Sequence, residues 1–102
     1  GTALMGAAGE GHEGVVELLL KHGAEVDLQE SNGATALMFA ALQGHPTVVL
    51  CLLRAGADRK LRTEDGRTAL QMAKRRGHAE CVRAHEEHVA AEEAAERAAA
   101  EA

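Results

Sequence analysis

The sequence predicts a mainly α solenoid: helix-turn-helix pairs joined by β-hairpin-like loops and ending in an extended C-terminal helix. Three observations predict it. First, the chain repeats with a 33-residue period, which places Thr2, Thr35 and Thr68 in register, and likewise Leu4, Leu37 and Leu70, Gly11, Gly44 and Gly77, and His12, His45 and His78. Second, each copy holds two helical segments separated by a Gly-His pair. Third, the last copy runs into AAEEAAERAAAEA, a stretch of strong helix formers. A fixed period of this length marks stacked units, each touching only its neighbours, rather than one closed core.

In each copy the first segment starts at the threonine, whose hydroxyl can cap the open amides of a first turn, and stops at a glycine suited to the left-handed end of a helix. A short helix of about two turns results. The second segment begins after the histidine, and in the middle copy Pro46 stands in a first turn that needs no amide hydrogen from it. It ends at Gly23 or Gly56, and its apolar residues, Val15, Val16, Leu18, Leu19 and Leu20 or Val48, Val49, Cys51, Leu52 and Leu53, build the core. From Ala24 to Ala34 and from Ala57 to Arg67, polar residues with a closing glycine have the chemistry of an extended hairpin. In the third copy His85 and Glu86 stand where the others have Leu19 and Leu52, then Leu20 and Leu53, so an outer face built to be wet is expected there. Val89 replaces the stopping glycine, and the last helix is expected to run from Ala79 to Ala102, about 36 Å. Gly1 enters in mid-repeat, without a polar cap or the hairpin expected before it, which suggests further repeats upstream.

Composition narrows the class. The chain has 102 residues, enough for one domain or one stretch of a longer array, and is 46% apolar but 1% aromatic, so aliphatic side chains must supply the packing. No run of eighteen apolar residues and no leader-like segment is present, and Cys51 and Cys81 are too few for a disulfide framework. These features suggest an intracellular protein, cytoplasmic or nuclear, with free thiols.

The motifs resemble the ankyrin repeat over nearly the whole chain. They are TALM at 2–5, TALM at 35–38, TALQ at 68–71, three Gly-His pairs, VVELLL and VVLCLL, and the endings GAE and GAD. The departures are that the family's Thr-Pro-Leu-His turn has Ala for Pro each time, and has Met5, Met38 and Gln71 for the histidine that stitches neighbouring copies, so weaker polar stitching is expected. The resemblance implies an L-shaped stack with protruding hairpins and partner binding in the groove between hairpins and first helices. It divides the chain into a repeat truncated at its start (1–30), a second repeat (31–63), a C-terminal capping repeat (64–88) and a helical extension (89–102).

Residues for chemistry are hard to find. His78, Cys81, His85 and His88 fall within about 80° on one helix face, but a straight helix cannot wrap four ligands around one ion, and His78 and Cys81 occupy ordinary repeat positions. The acidic residues lie in loops or on the tail, and Gly9, Glu10 and Gly11 lack the context of a phosphate cradle. No catalytic residue, cofactor or metal is expected.

Charge is organised in blocks. Residues 1–30 hold six acids against Lys21, residues 31–53 hold none, residues 54–85 hold nine bases against four acids, and residues 86–102 hold six acids against Arg97. Glu93 and Arg97 can pair along the tail. In the basic block Arg67, Arg75 and Arg76 take positions that the resemblance places in the groove, with Arg59, Lys60 and Arg62 on the hairpin beside them. The candidate partner-binding residues are Ser31, Asn32, Ala34, Leu42, Gln43, Arg62, Glu64, Asp65, Arg67, Arg75 and Arg76. They suit an acidic or phosphorylated protein or peptide. The function expected is a protein-binding scaffold module without catalysis. The alternative is an architectural cap, self-associating through the C-terminal helix, where Ala91, Ala94, Ala95, Ala98 and Ala102 share a stripe, or through the uncapped N-terminal face. Nucleic acid would require an overall basic surface with stacking aromatics, which this chain lacks, and no membrane partner is expected.

Overall fold

The computed structural model describes all 102 residues. Six helices follow one another: α1 (Ala3–Glu10), α2 (Glu13–Lys21), α3 (Ala36–Gln43), α4 (Pro46–Arg54), α5 (Ala69–Arg75) and α6 (Ala79–Glu101). α1, α3 and α5 stack in one layer and α2, α4 and α6 in a second, so that α3 packs on α1, α4 and α5. The long final helix matches the expected extension, and no segment forms a regular strand.

The threonines do cap the first helices. Met5 N–H donates to Thr2 Oγ1 at 3.1 Å and Met38 N–H to Thr35 Oγ1 at 3.3 Å. Gln71 turns the third cap into a reciprocal box: its amide donates to Thr68 Oγ1 at 3.3 Å, and its side-chain oxygen accepts from Thr68 N–H at 2.9 Å. At the other end of each first helix the histidine amide reaches back to an alanine carbonyl, as in His45 N–H to Ala40 O at 3.0 Å, which satisfies a carbonyl the helix leaves open. The geometry needs a left-handed residue, and Gly44 has φ 77°.

The same glycine serves a second purpose. His78 of the next pair approaches so closely that a Cβ on Gly44 would lie 2.7 Å from its Nδ1. That approach lets His78 Nε2 reach the Leu42 carbonyl at 2.9 Å, and His45 Nε2 reaches the Gly9 carbonyl at 3.0 Å in the same way. A carbonyl can only accept, so Nε2 carries the proton in both rings. Polar stitching between neighbours is therefore present, supplied by the Gly-His histidines instead of the positions held by Met5, Met38 and Gln71.

The core is aliphatic and centred on the middle pair. Leu37, Val48, Val49 and Leu52 are fully buried, with Val16 from the first pair and Cys81 from the third. Burial pushes both thiols up, and Cys51 also feels the carboxylates of Glu17 and Glu13. On the leading face of α2, Val15 and Leu18 are 48% and 57% exposed, whereas Val48, one period later, is 1% exposed because α2 covers it.

The third pair is only partly wet on the side where sequence suggested a polar face. Glu86, in the place of Leu53, is exposed, but His85, in the place of Leu52, is 4% exposed. Leu52 is likewise fully buried, so position 85 keeps the cover of its counterpart, whereas position 86 loses the cover that Leu53 has. Both ring nitrogens of His85 lack a hydrogen-bond partner. Burial holds the imidazole below its ordinary pKa; Arg59 and His88 push it down further, and Glu86 opposes them. The expected Glu93–Arg97 pair does not form; Glu92 instead reaches Arg59 at 3.7 Å and His88 at 3.4 Å.

Three stability effects follow from these contacts. An unpaired buried polar group costs about 1–3 kcal/mol, so His85→Leu should raise the melting temperature by several degrees. Because the folded chain resists protonating His85, the unfolded chain takes up that proton first as pH falls below about 6.5. Wild-type stability should accordingly drop between pH 7.5 and 5.5 by more than that of His85→Leu, measured by urea unfolding at both values; equal pH dependence would remove His85 as the cause. His78→Ala should cost about 1–2 kcal/mol in the same assay at pH 7.5 through loss of the Leu42 bond.

Candidate functional site

The connectors between helix pairs are tight fingers held by few bonds. In the first, Glu30 N–H donates to Ala34 O and Gly33 N–H to Glu30 O, both at 2.8 Å. In the second, Thr63 N–H donates to Arg67 O and Gly66 N–H to Thr63 O, both at 2.9 Å. The two fingers are also joined to each other. Glu64 N–H donates to Asn32 O at 2.7 Å, and Gln29 Nε2 donates to Gly33 O at 2.9 Å and to Arg62 O at 3.3 Å. Gly33 permits this approach, since a Cβ there would lie 2.8 Å from the Arg62 carbonyl. The fingers therefore form a shared wall facing the ends of α3 and α5.

Between that wall and the helices lies a cleft of about 430 Å³, lined by Asn32, Leu42, Thr63, Glu64, Asp65, Arg67, Met72 and Arg76. A recess of about 300 Å³ adjoins it, walled by Leu42, Arg67, Met72, Arg75 and Arg76. A third hollow of about 400 Å³ continues past Arg67 and Arg75 to Gly66, Gln71 and Lys74. The three are connected through Arg67, so the second and third helix pairs share one basic surface with Leu42 and Met72 as its apolar floor. Another hollow of about 440 Å³ lies between α5 and α6, where Lys74, Arg83 and Glu86 mix their charges without converging.

Asp65 is the one carboxylate tied into the basic surface. Its Oδ1 accepts from the Thr63 hydroxyl, and its Oδ2 lies 3.4 Å from Arg67 Nε. The Thr63 bond, followed by the charges of Arg67 and Arg75, holds its carboxyl below the usual range. Arg75 and Arg76 enter no ion pair within the chain.

The structure brings together Asn32, Leu42, Glu64, Asp65, Arg67, Arg75 and Arg76 of the sequence-predicted residues. Ser31 and Gln43 are exposed nearby but line none of these hollows. Ala34 is 8% exposed and belongs to the core, because the closing bond to Glu30 draws it beneath the finger. Arg62 is occupied within its own finger, where Nη1 donates to Gly66 O at 2.7 Å. Arg59 lies outside the groove, over the second layer with Glu92 of α6. Thr63, Gln71, Met72 and Lys74 were missed. Helical spacing could have found Met72, which precedes Arg75 and Arg76 by three and four positions and so shares their face.

The metal candidates do not converge. His78 Nε2 is engaged by Leu42 O, Cys81 and His85 are buried, and no group of three or more His, Cys, Asp or Glu is placed to hold an ion. No helix is long and apolar enough to cross a membrane.

A family model described as ankyrin repeats (many copies) matches residues 19–73, and a single ankyrin-repeat model matches residues 1–31 and 65–84. A search of curated proteins found no match to the chain. Ankyrin repeats are generally protein-protein interaction modules and typically non-catalytic. The recurring Thr-capped helices, the Gly-His stitches and a family match across more than half of the sequence lead to one conclusion: this chain belongs to the ankyrin-repeat family.

Proposed function

We propose that the chain binds an acidic protein or peptide in the cleft between its second and third repeats, by contact alone and without catalysis. The observation that carries this reading is the meeting of Arg67, Arg75 and Arg76 over Leu42 and Met72, with two of the three guanidiniums unpaired inside the chain. Guanidiniums beside an apolar floor suit a segment that alternates carboxylates with aliphatic or aromatic side chains. The chain contributes a single aromatic, Phe39, so the anchoring aromatic of such an interface would come from the partner.

A second reading rests on a separate observation. Every residue from Ala90 to Ala102 is exposed, although all but the last lie in α6, and the alanine stripe there could meet a second copy. Val15 and Leu18 offer another self-association face at the opposite end.

Two measurements separate these readings. Captured partners should be lost, or weakened at least tenfold, about 1.4 kcal/mol, by the double variant Arg75→Glu and Arg76→Glu; retention of every partner would refute the groove. Deletion of 90–102 should leave partner capture intact, and a fall in mass at high concentration after that deletion, by sedimentation, would instead support the architectural reading.

A further inference from the structure

We infer that the recess between Arg67, Arg75 and Arg76 is a site for a phosphomonoester, specifically a phosphoserine or phosphothreonine side chain of a bound peptide. The inference rests on the groove reading above and names the group that reading leaves open. Its basis is the charge and shape of the recess rather than the basic character of the region.

Five residues wall the recess, three of them arginines and none of them acidic. Asp65 lies at its rim and pairs with one guanidinium, Arg67, at 3.4 Å. Glu64 lines the adjoining cleft but pairs with none of the three, which leaves Arg75 and Arg76 as an unpaired surplus of two. A phosphorylated side chain carries about −1.5 to −2 at neutral pH, so it matches the surplus, whereas a Glu or Asp side chain meets half of it. Shape points the same way. A carboxylate has two oxygens and is satisfied by one guanidinium fork, while a phosphate offers three terminal oxygens in different directions. Here the donors come from two sites: Arg67 reaches in from the finger, and Arg75 and Arg76 from the end of α5.

The surroundings hold this arrangement in place. The Thr63 hydroxyl fixes Asp65, and Asp65 in turn orients Arg67, so the finger arginine is prepared before any ligand arrives. Leu42 and Met72 give the methylene or methyl next to a phosphate an apolar seat. The hollow on the far side of Arg67 and Arg75 contains Lys74 and Gln71 and no acid, so an extended chain leaving the recess keeps favourable contacts. A polyanionic surface fits less well. In the sequence the basic block stands between residues 1–30 and 86–102, each with six acids against one base, so the chain offers no continuous basic face to an anionic bilayer or a nucleic acid.

The test uses the full chain and three fluorescent nonapeptide pools with mixed flanks, whose central residue is phosphoserine, glutamate or serine. The phosphoserine pool should bind about tenfold or more tightly than the glutamate pool, and the serine pool weakest. The double variant Arg75→Gln and Arg76→Gln should lose this preference. Both side chains are exposed, so its circular dichroism and melting temperature should match the wild type. Equal binding of the phosphoserine and glutamate pools would overturn the phosphate assignment and leave the acidic groove standing. No binding by any pool would overturn both. Binding to vesicles containing a phosphoinositide without binding to the phosphoserine pool would overturn the peptide assignment, as would a phosphoserine preference that survives in the variant.

Discussion

The structure depends on lateral stacking at a fixed 33-residue translation. No helix pair here can bury both of its faces alone; α3 and α4 are buried because a pair stands on each side of them. The requirement reaches down to single atoms. Gly44 lacks a side chain because His78 of the next pair occupies that space, and His78 sits there because Leu42 O needs a donor that the ending helix does not supply. Gly33 plays the same part between the fingers, with Arg62 O as its close neighbour. The repeat period is thus a statement about contacts between copies more than about the helices inside each copy.

The third pair departs from the register of the others at the equivalents of Leu52 and Leu53. Glu86 in place of Leu53 is exposed, but His85 in place of Leu52 is buried as Leu52 is. The result is a desolvated imidazole without partners, on the helix that also holds Arg59 through Glu92. Hydrophobic packing around Cys81 and the contact of α6 with α4 offset this defect. The structure shows no interaction that explains why a histidine stands there.

Much of the fold could be read from sequence because its signals are local. Threonine caps, left-handed glycines and Pro46 at a helix start act within one turn, and each is found where the 33-residue register places it. The site was legible to the extent that it followed the same register: Arg75 and Arg76 repeat the positions of Leu42 and Gln43. What escaped depends on tertiary cover. Arg59 belongs to the layer of α6 because Glu92 lies above it, and that proximity requires the long helix to be in place. Ala34 is hidden by a finger closed through a single main-chain bond pair, and Arg62 is turned inward to Gly66 O. Asp65 stays in the basic patch, and its bonds to Thr63 and Arg67 depend on the closed finger.

If stacking is the controlling interaction, local stability should follow the number of neighbours and not helix propensity, since the tail of α6 has the best helix formers in the chain but is exposed from Ala90 onward, with Glu92–Arg59 as its one ion pair to another element. Native-state amide hydrogen exchange resolves this residue by residue. Exchange should be slowest in α3 and α4, intermediate in α1 and α5, and fastest among the helices from Ala90 onward. Protection of the α6 tail equal to that of α3, or uniform protection across all six helices, would contradict control by stacking.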